Sequence, residues 1–158
     1  MTIFKTAWGT TTNFTLTNLQ SLAGGNIWVS NALADGTPSN EMVQFSYTLV
    51  CNASVAANEQ IIFRLAKGDD NGTEIRDAGI STSEQEISIA NTISDIHDTL
   101  NPVKVVRIDR VSQTLKGVFI VYNPGPDWQL LIELDSASGA LAASGNVASY
   151  RLGTGDST

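Results

Sequence analysis

The chain has 158 residues, 42% of them apolar and 16% charged, and its net charge is −7. At this length one domain buries roughly 70% of the surface its unfolded chain exposes, so a core needs neither disulfide nor metal. A phosphate backbone as partner calls for a basic stripe; the nine Lys and Arg are scattered, and their one loose grouping (Lys104, Arg107, Arg110, then Lys116) splits between two strand faces, which argues against nucleic acid.

Ser, Thr, Asn and Gly supply the polarity that charged residues do not, a mix suited to strands and turns. Cys51 is the only cysteine, which excludes an intrachain disulfide, and it reads as a small buried hydrophobe. With a single His beside it, a zinc site of His and Cys ligands cannot assemble within one chain. The first thirty residues have no basic start followed by an apolar h-region, so no signal peptide is expected. No apolar run approaches the length of a membrane span, so no membrane partner is expected. Three glycosylation sequons, at Asn13, Asn52 and Asn71, are attributed to chance in a chain this rich in Ser and Thr.

In chain order, residues 1–20 form an N-terminal arm and a first weak strand near 12–19. The first nine residues (MTIFKTAWG) carry Phe4 and Trp8, which suit an arm docked on its own domain or on a neighbouring subunit. Residues 21–152 are expected to form the body of the fold, and residues 153–158 a flexible tail. Within the body, 26–31 (NIWVSN) reads as a short strand, followed by a loop at 32–40. Residues 41–50 alternate without a break: Val43, Phe45, Tyr47 and Leu49 on one face, Gln44, Ser46 and Thr48 on the other. Residues 60–67 (QIIFRLAK) place Ile61, Phe63 and Leu65 inward and Arg64 outward, and this strand is expected to lie antiparallel to 41–50 or near it. An acidic loop follows at 68–79, with a turn signal at Asn71-Gly72. Residues 86–89 can form a strand, and 91–101 have helical spacing through Ile93, Ile96 and Leu100, ended by Pro102. Residues 103–111 read as a charged, partly exposed strand.

Residues 114–134 (TLKGVFIVYNPGPDWQLLIEL) hold two apolar runs about Asn123-Pro124-Gly125-Pro126-Asp127. The prolines forbid a helix there, and the reading is a hairpin of two well-buried strands. Residues 135–143 look small and flexible, and 144–152 a last strand with Val147 and Tyr150 as core candidates. Eight or nine short strands with at most one short helix predict an all-β single domain, an antiparallel β-sandwich of jelly-roll-like form.

Few residues suggest chemistry. Asp69, Asp70, Asn71, Glu74 and Asp77 are hard oxygen donors of the kind calcium prefers, but their spacing is not that of an EF-hand, and a solvated hairpin tip accounts for them. His97 and Asp98 are neighbours in sequence and so point apart on a helix or strand. No Gly-x-Ser-x-Gly elbow precedes a helix. No enzyme activity and no cofactor are expected. Trp128 reads as a cap on the core, whereas Phe4, Trp8, Phe14 and Trp28 are the candidates for contact with another subunit or a larger surface.

Several stretches together resemble small virion proteins of tailed bacteriophages. They are Ser21-Leu22-Ala23 after a Thr-rich start, the alternating strand 41–50, and the apolar 61–67 running into Gly68-Asp69-Asp70-Asn71-Gly72-Thr73. Later come 117–123 followed by a Trp-containing strand, and the ending Val147-Ala148-Ser149-Tyr150-Arg151-Leu152. The resemblance implies a non-enzymatic β-sandwich or jelly-roll protein of the particle. Its first implied role is a capsid decoration (cement) protein on the capsid exterior, made in the bacterial host cytoplasm. Its implied partner is the major capsid protein of the same phage, and a homo-oligomer, a trimer first, is expected. The alternative is a receptor- or glycan-binding module of a tail fibre or baseplate, using Trp8 or Trp28 to stack on sugars.

Overall fold

The computed structural model describes residues 4–34, 41–68, 80–88, 90–125 and 127–157. Two antiparallel sheets face each other as a sandwich, as the alternating strands predict. The first sheet has the order β1 (Phe4–Trp8), β11 (Val147–Ser157), β5 (Met42–Val50), β9 (Thr114–Tyr122), and the short β2 (Thr12–Asn13) also pairs with β11. The second has the order β7 (Gln85–Ile87), β3 (Ile27–Val29), β10 (Asp127–Asp135), β6 (Gln60–Lys67), β8 (Pro102–Arg107), with β4 (Leu33–Ala34) also on β10. One helix, α1 (Ala90–Thr99), lies between β7 and β8 in sequence.

The core follows from period two. On β5 the odd residues Val43, Phe45, Tyr47 and Leu49 are buried and the even ones half-exposed. They meet Ile61, Phe63 and Leu65 of β6 and Trp128, Leu130, Ile132 and Leu134 of β10 in one cluster. Aromatic rings tie the sheets together: Phe45 meets Trp128 edge-on at 5.3 Å, Trp128 meets Tyr150 at 5.3 Å, and Phe63 meets Phe119 at 5.1 Å. Each such pair contributes about 0.5–1.5 kcal/mol beyond its buried area. Trp128 caps this core as read from the sequence, and it is fully buried.

A second, smaller core lies on the opposite side of the second sheet. Ile27, Val29, Ala66 and Leu131 meet Ile96 and Leu100 from the helical segment there. The expected helical spacing of Ile93, Ile96 and Leu100 is this contact stripe.

Several expectations are corrected. The stretch 114–134 is not a hairpin: β9 belongs to the first sheet and β10 to the second. Asn123 and Gly125 both take positive φ, 51° and 91°, turning the chain from one sheet to the other. A crossing of about 10 Å between sheets is too wide for a two-residue hairpin turn. Of the two runs, only β10 is buried on both faces; β9 leaves Val118, Ile120 and Tyr122 exposed. Strands β5 and β6 are likewise opposed across the core rather than paired, because the linking segment 51–59 crosses the sandwich. Arg64 faces away from the main core, as read, yet it is buried, since the helix segment covers that side.

Val147 is exposed and Ala148 takes the core position. Val147 and Tyr150 have opposite parity and cannot both face inward on one regular strand. Residues 135–143 are tied in by bridges from Ala140 to Ala23 and from Leu141 to Cys51, and Leu141 is buried. The expected tail 153–158 is strand as far as Ser157, and its partner is the arm: Phe4 through Trp8 pair with Ser157 through Gly153. The expected weak strand near 12–19 reduces to Thr12–Asn13 followed by a turn.

Gly117 stands opposite Tyr47 on the inner face, and a Cβ there would overlap the tyrosine ring and hydroxyl. Gly117→Ala is expected to push Tyr47 out of place and cost about 1–3 kcal/mol, as overpacking in a filled core does. Urea denaturation of the variant measures this, and an unchanged midpoint would show that the ring moves freely.

A candidate interaction face

The two outer faces of the sandwich differ. The helix segment covers the outer side of β3, β6 and β10, whereas no described element packs over the outer side of the first sheet. The register lays out that open side in rows. Tyr122 lies opposite Met42, Met42 opposite Gly153, and Gly153 opposite Trp8, so one row crosses all four strands. The next row is Ile120, Gln44 and Arg151, and the one after is Val118, Ser46 and Ser149.

Each position has a local cause. Gly153 leaves room for Trp8 to lie across the strand: a Cβ there would come within 2.7 Å of Trp8 Cζ3 and 2.8 Å of Met42 Cγ. Arg151 places its guanidinium 4.8 Å from the Trp8 ring centroid and donates from Nε to Gln44 Oε1 at 2.5 Å. The hydroxyls of Ser46 and Ser149 share a hydrogen bond of 2.7 Å. On β9, Tyr122 is 69% exposed and Val118 57%. The face is therefore amphipathic, with aromatic residues at both ends of one row and fixed polar pairs in the rows beside it, the composition that protein-binding surfaces favour.

The sequence candidates for contact divide. Trp28 is fully buried, and its indole N–H donates to Glu84 Oε1 at 2.8 Å. Glu84 also accepts from the Asn18 N–H at 2.7 Å, so it pins the 17–21 turn to the core. Phe14 is buried between Trp28 and Tyr150. Neither is available to a partner; both are core residues, because β2 and β3 turn those positions inward. Trp8 does lie on the open face, half-buried, and Phe4 starts β1, its side chain outside the described residues. Met42, Ile120 and Tyr122 of this face were not singled out from the sequence. The signal was available: in 117–122 (GVFIVY) apolar residues occupy both parities, so one set of them faces away from the sandwich core.

The charged cluster is elsewhere. Arg64 and Glu133 form a buried ion pair, Arg64 Nε donates to the Leu100 carbonyl at 3.0 Å, and His97 Nε2 lies 2.9 Å from Glu133 Oε1. Thus His97 partners Glu133 rather than its neighbour Asp98. Both carboxylate oxygens are engaged, and Arg64 also binds a carbonyl at the helix end, where cations are favoured. The geometry fastens α1 to the sheet. Among the described residues no group of three His, Cys, Asp or Glu is placed to hold a metal ion, and no helix is long and apolar enough to cross a membrane. The calcium candidates Asp69, Asp70, Asn71, Glu74 and Asp77 lie outside the described residues.

Arg64→Met leaves Glu133 buried without its cation and is expected to cost about 3–5 kcal/mol, whereas adding Glu133→Leu restores part of that loss. Urea denaturation of the single and double variants tests this; equal losses would mean the ion pair is not coupled. Cys51 gives a pH dependence. Burial, then the nearby Glu59 charge, pushes its thiol above the ordinary 9.0, and burial pushes Tyr47 above 10.0. Both protons are held more tightly in the folded state, so their contribution is full below the ordinary values and is lost as pH rises past them. Stability is expected to fall from about pH 9 upward, and less steeply in Cys51→Ala. Denaturation midpoints between neutral and alkaline pH check the slope.

No protein-family model matches this chain, and no curated protein matches it in sequence.

Proposed function

We propose that the protein is a non-catalytic binding module that docks on a larger protein surface through the open face of its first sheet. We further propose that its place is the exterior of a phage head, as a decoration protein on the major capsid protein. The observation that carries the reading is the row Tyr122–Met42–Gly153–Trp8 with Ile120 beside it, presented on a flat sheet that no described element covers. Dispersed contacts of this kind suit attachment to an extended lattice rather than to a small molecule, which prefers a concave site. The β-sandwich agrees with the resemblance of the sequence to small virion proteins. The net charge of −7 favours solubility among crowded copies.

The glycan-binding alternative loses its first residues. Trp28 is sealed in the core, and half-buried Trp8 already has the Arg151 guanidinium over its ring, 4.8 Å from the centroid.

Two measurements test the proposal. The molar ratio of this chain to the major shell protein in purified particles is expected to be of the same order as the number of shell subunits or capsomers. A handful of copies would move the protein to a tail or vertex, and absence would remove the virion role. Added back to undecorated shells, Tyr122→Ala is expected to bind about 30-fold more weakly, the effect of losing one aromatic hot spot of about 2 kcal/mol. Unchanged binding would exclude the open face as the contact.

A further inference from the structure

The strand β9 is an open edge with unusual chemistry. Asn123 donates to the Glu41 carbonyl at 2.8 Å, and Cys51 donates to the Gln113 carbonyl at 2.9 Å. Each bond joins residues directly opposite in the β5–β9 register, so the odd residues of this stretch exchange bonds with β5. The N–H and C=O groups of Lys116, Val118, Ile120 and Tyr122 therefore point away from β5, where no described strand pairs with them. The ladder runs without a register shift from Thr114 to Tyr122, and the strand holds no proline and one charged residue. Edge strands are normally blunted by prolines, bulges or several charges, and a long regular apolar edge is a template for another strand.

Charge weighs against a symmetric contact. Residues 102–122 carry four of the nine Lys and Arg and one of the sixteen Asp and Glu, a net +3 in a chain of −7, which leaves −10 to the rest. Six of the seven large hydrophobics exposed among the described residues lie in the same segment: Val103, Val105, Val111, Val118, Ile120 and Tyr122. Strands β8 and β9 are edges of their two sheets, joined by the connection 108–113, so cations and apolar groups share one side of the sandwich. Two copies meeting by β9 against β9 would bring two positive edges together. An edge of lower charge on a second copy meets it with less repulsion, and β1 carries Lys5 as its one charged residue, in register opposite Asp156 of β11.

The first sheet has one other free edge, β1. Gly9 donates to the Leu152 carbonyl at 2.8 Å in the β1–β11 register, so the backbone groups of Phe4, Thr6 and Trp8 point away from β11. The sheet is antiparallel throughout, and rotation about an axis along the strands presents β1 of a second copy antiparallel to β9.

We infer that the β9 edge of one copy pairs with the β1 edge of the next, continuing the first sheet from molecule to molecule. The contact is head-to-tail, so it closes into a ring or propagates. It brings Trp8 of one copy beside the apolar row of β9 in the next. It does not depend on the shell-binding role, since it concerns the free protein.

Sedimentation velocity on the full chain tests it. The wild type is expected to associate as its concentration is raised toward about 100 μM. Proline on a free edge removes a donor from the partner while keeping its own ladder. Val118→Pro and Thr6→Pro are each expected to weaken self-association by tenfold or more, with Val118→Ala near wild type. Mixed one to one, the two proline variants are expected to form a heterodimer, because each keeps the edge the other lacks. A wild type that is monomeric up to on the order of 100 μM overturns the inference. So does association that survives both prolines. Loss with Val118→Pro alone, without Thr6→Pro and without rescue on mixing, would replace it with a symmetric β9 contact.

Discussion

Strand β10 is dry on both sides, and that condition sets the rest of the molecule. Its even residues, Trp128 to Leu134, fill the space between the sheets, while Gln129, Leu131 and Glu133 face the other way and are also buried. A strand of that kind must lie in the interior of a sheet with a second layer outside it. The second layer is α1, whose Ile96 meets Leu131 in the smaller core. Glu133 then sits in a place without water, and it is tolerable only because Arg64 and His97 reach it. The helix position and the buried ion pair are consequences of one doubly covered strand. Among the described residues, the one helix covers the second sheet only.

The all-β sandwich was readable because alternation is a local property. Residues 41–50 declare their two faces without reference to anything else. What could not be read was pairing. The turn-like 123–127 stretch says that the chain changes direction, and the same residues serve a hairpin or a crossing between sheets. Arg64 shows the same limit: in an alternating strand a charge marks the side away from the core, and that side is wet unless a layer covers it. Its carboxylate partner is 69 residues away. Trp28 was misplaced because its local sequence, NIWVSN, is short and not strongly apolar, although Glu84 supplies the acceptor that lets an indole be buried. Val147, by contrast, was a parity error that the sequence alone could have prevented.

The open face was only half readable. Trp8 stood out by its aromaticity near one end of the chain. Tyr122 and Ile120 did not, because an apolar run reads as core whichever way its residues point. Met42 joins them only through register, with Gly153 between it and Trp8. That glycine sits in the strand body, where its missing side chain is the space the tryptophan occupies.

The pairing of β1 with the far end of β11 has a temporal side. Residues 4–8 are made long before their partners, 153–157. Between these events the first segment waits without its ladder while nearly every other strand is synthesised. Contacts so distant along the chain are slow to form, since the loop they close spans most of the polypeptide. The first sheet can therefore be completed only after residue 157 clears the ribosome.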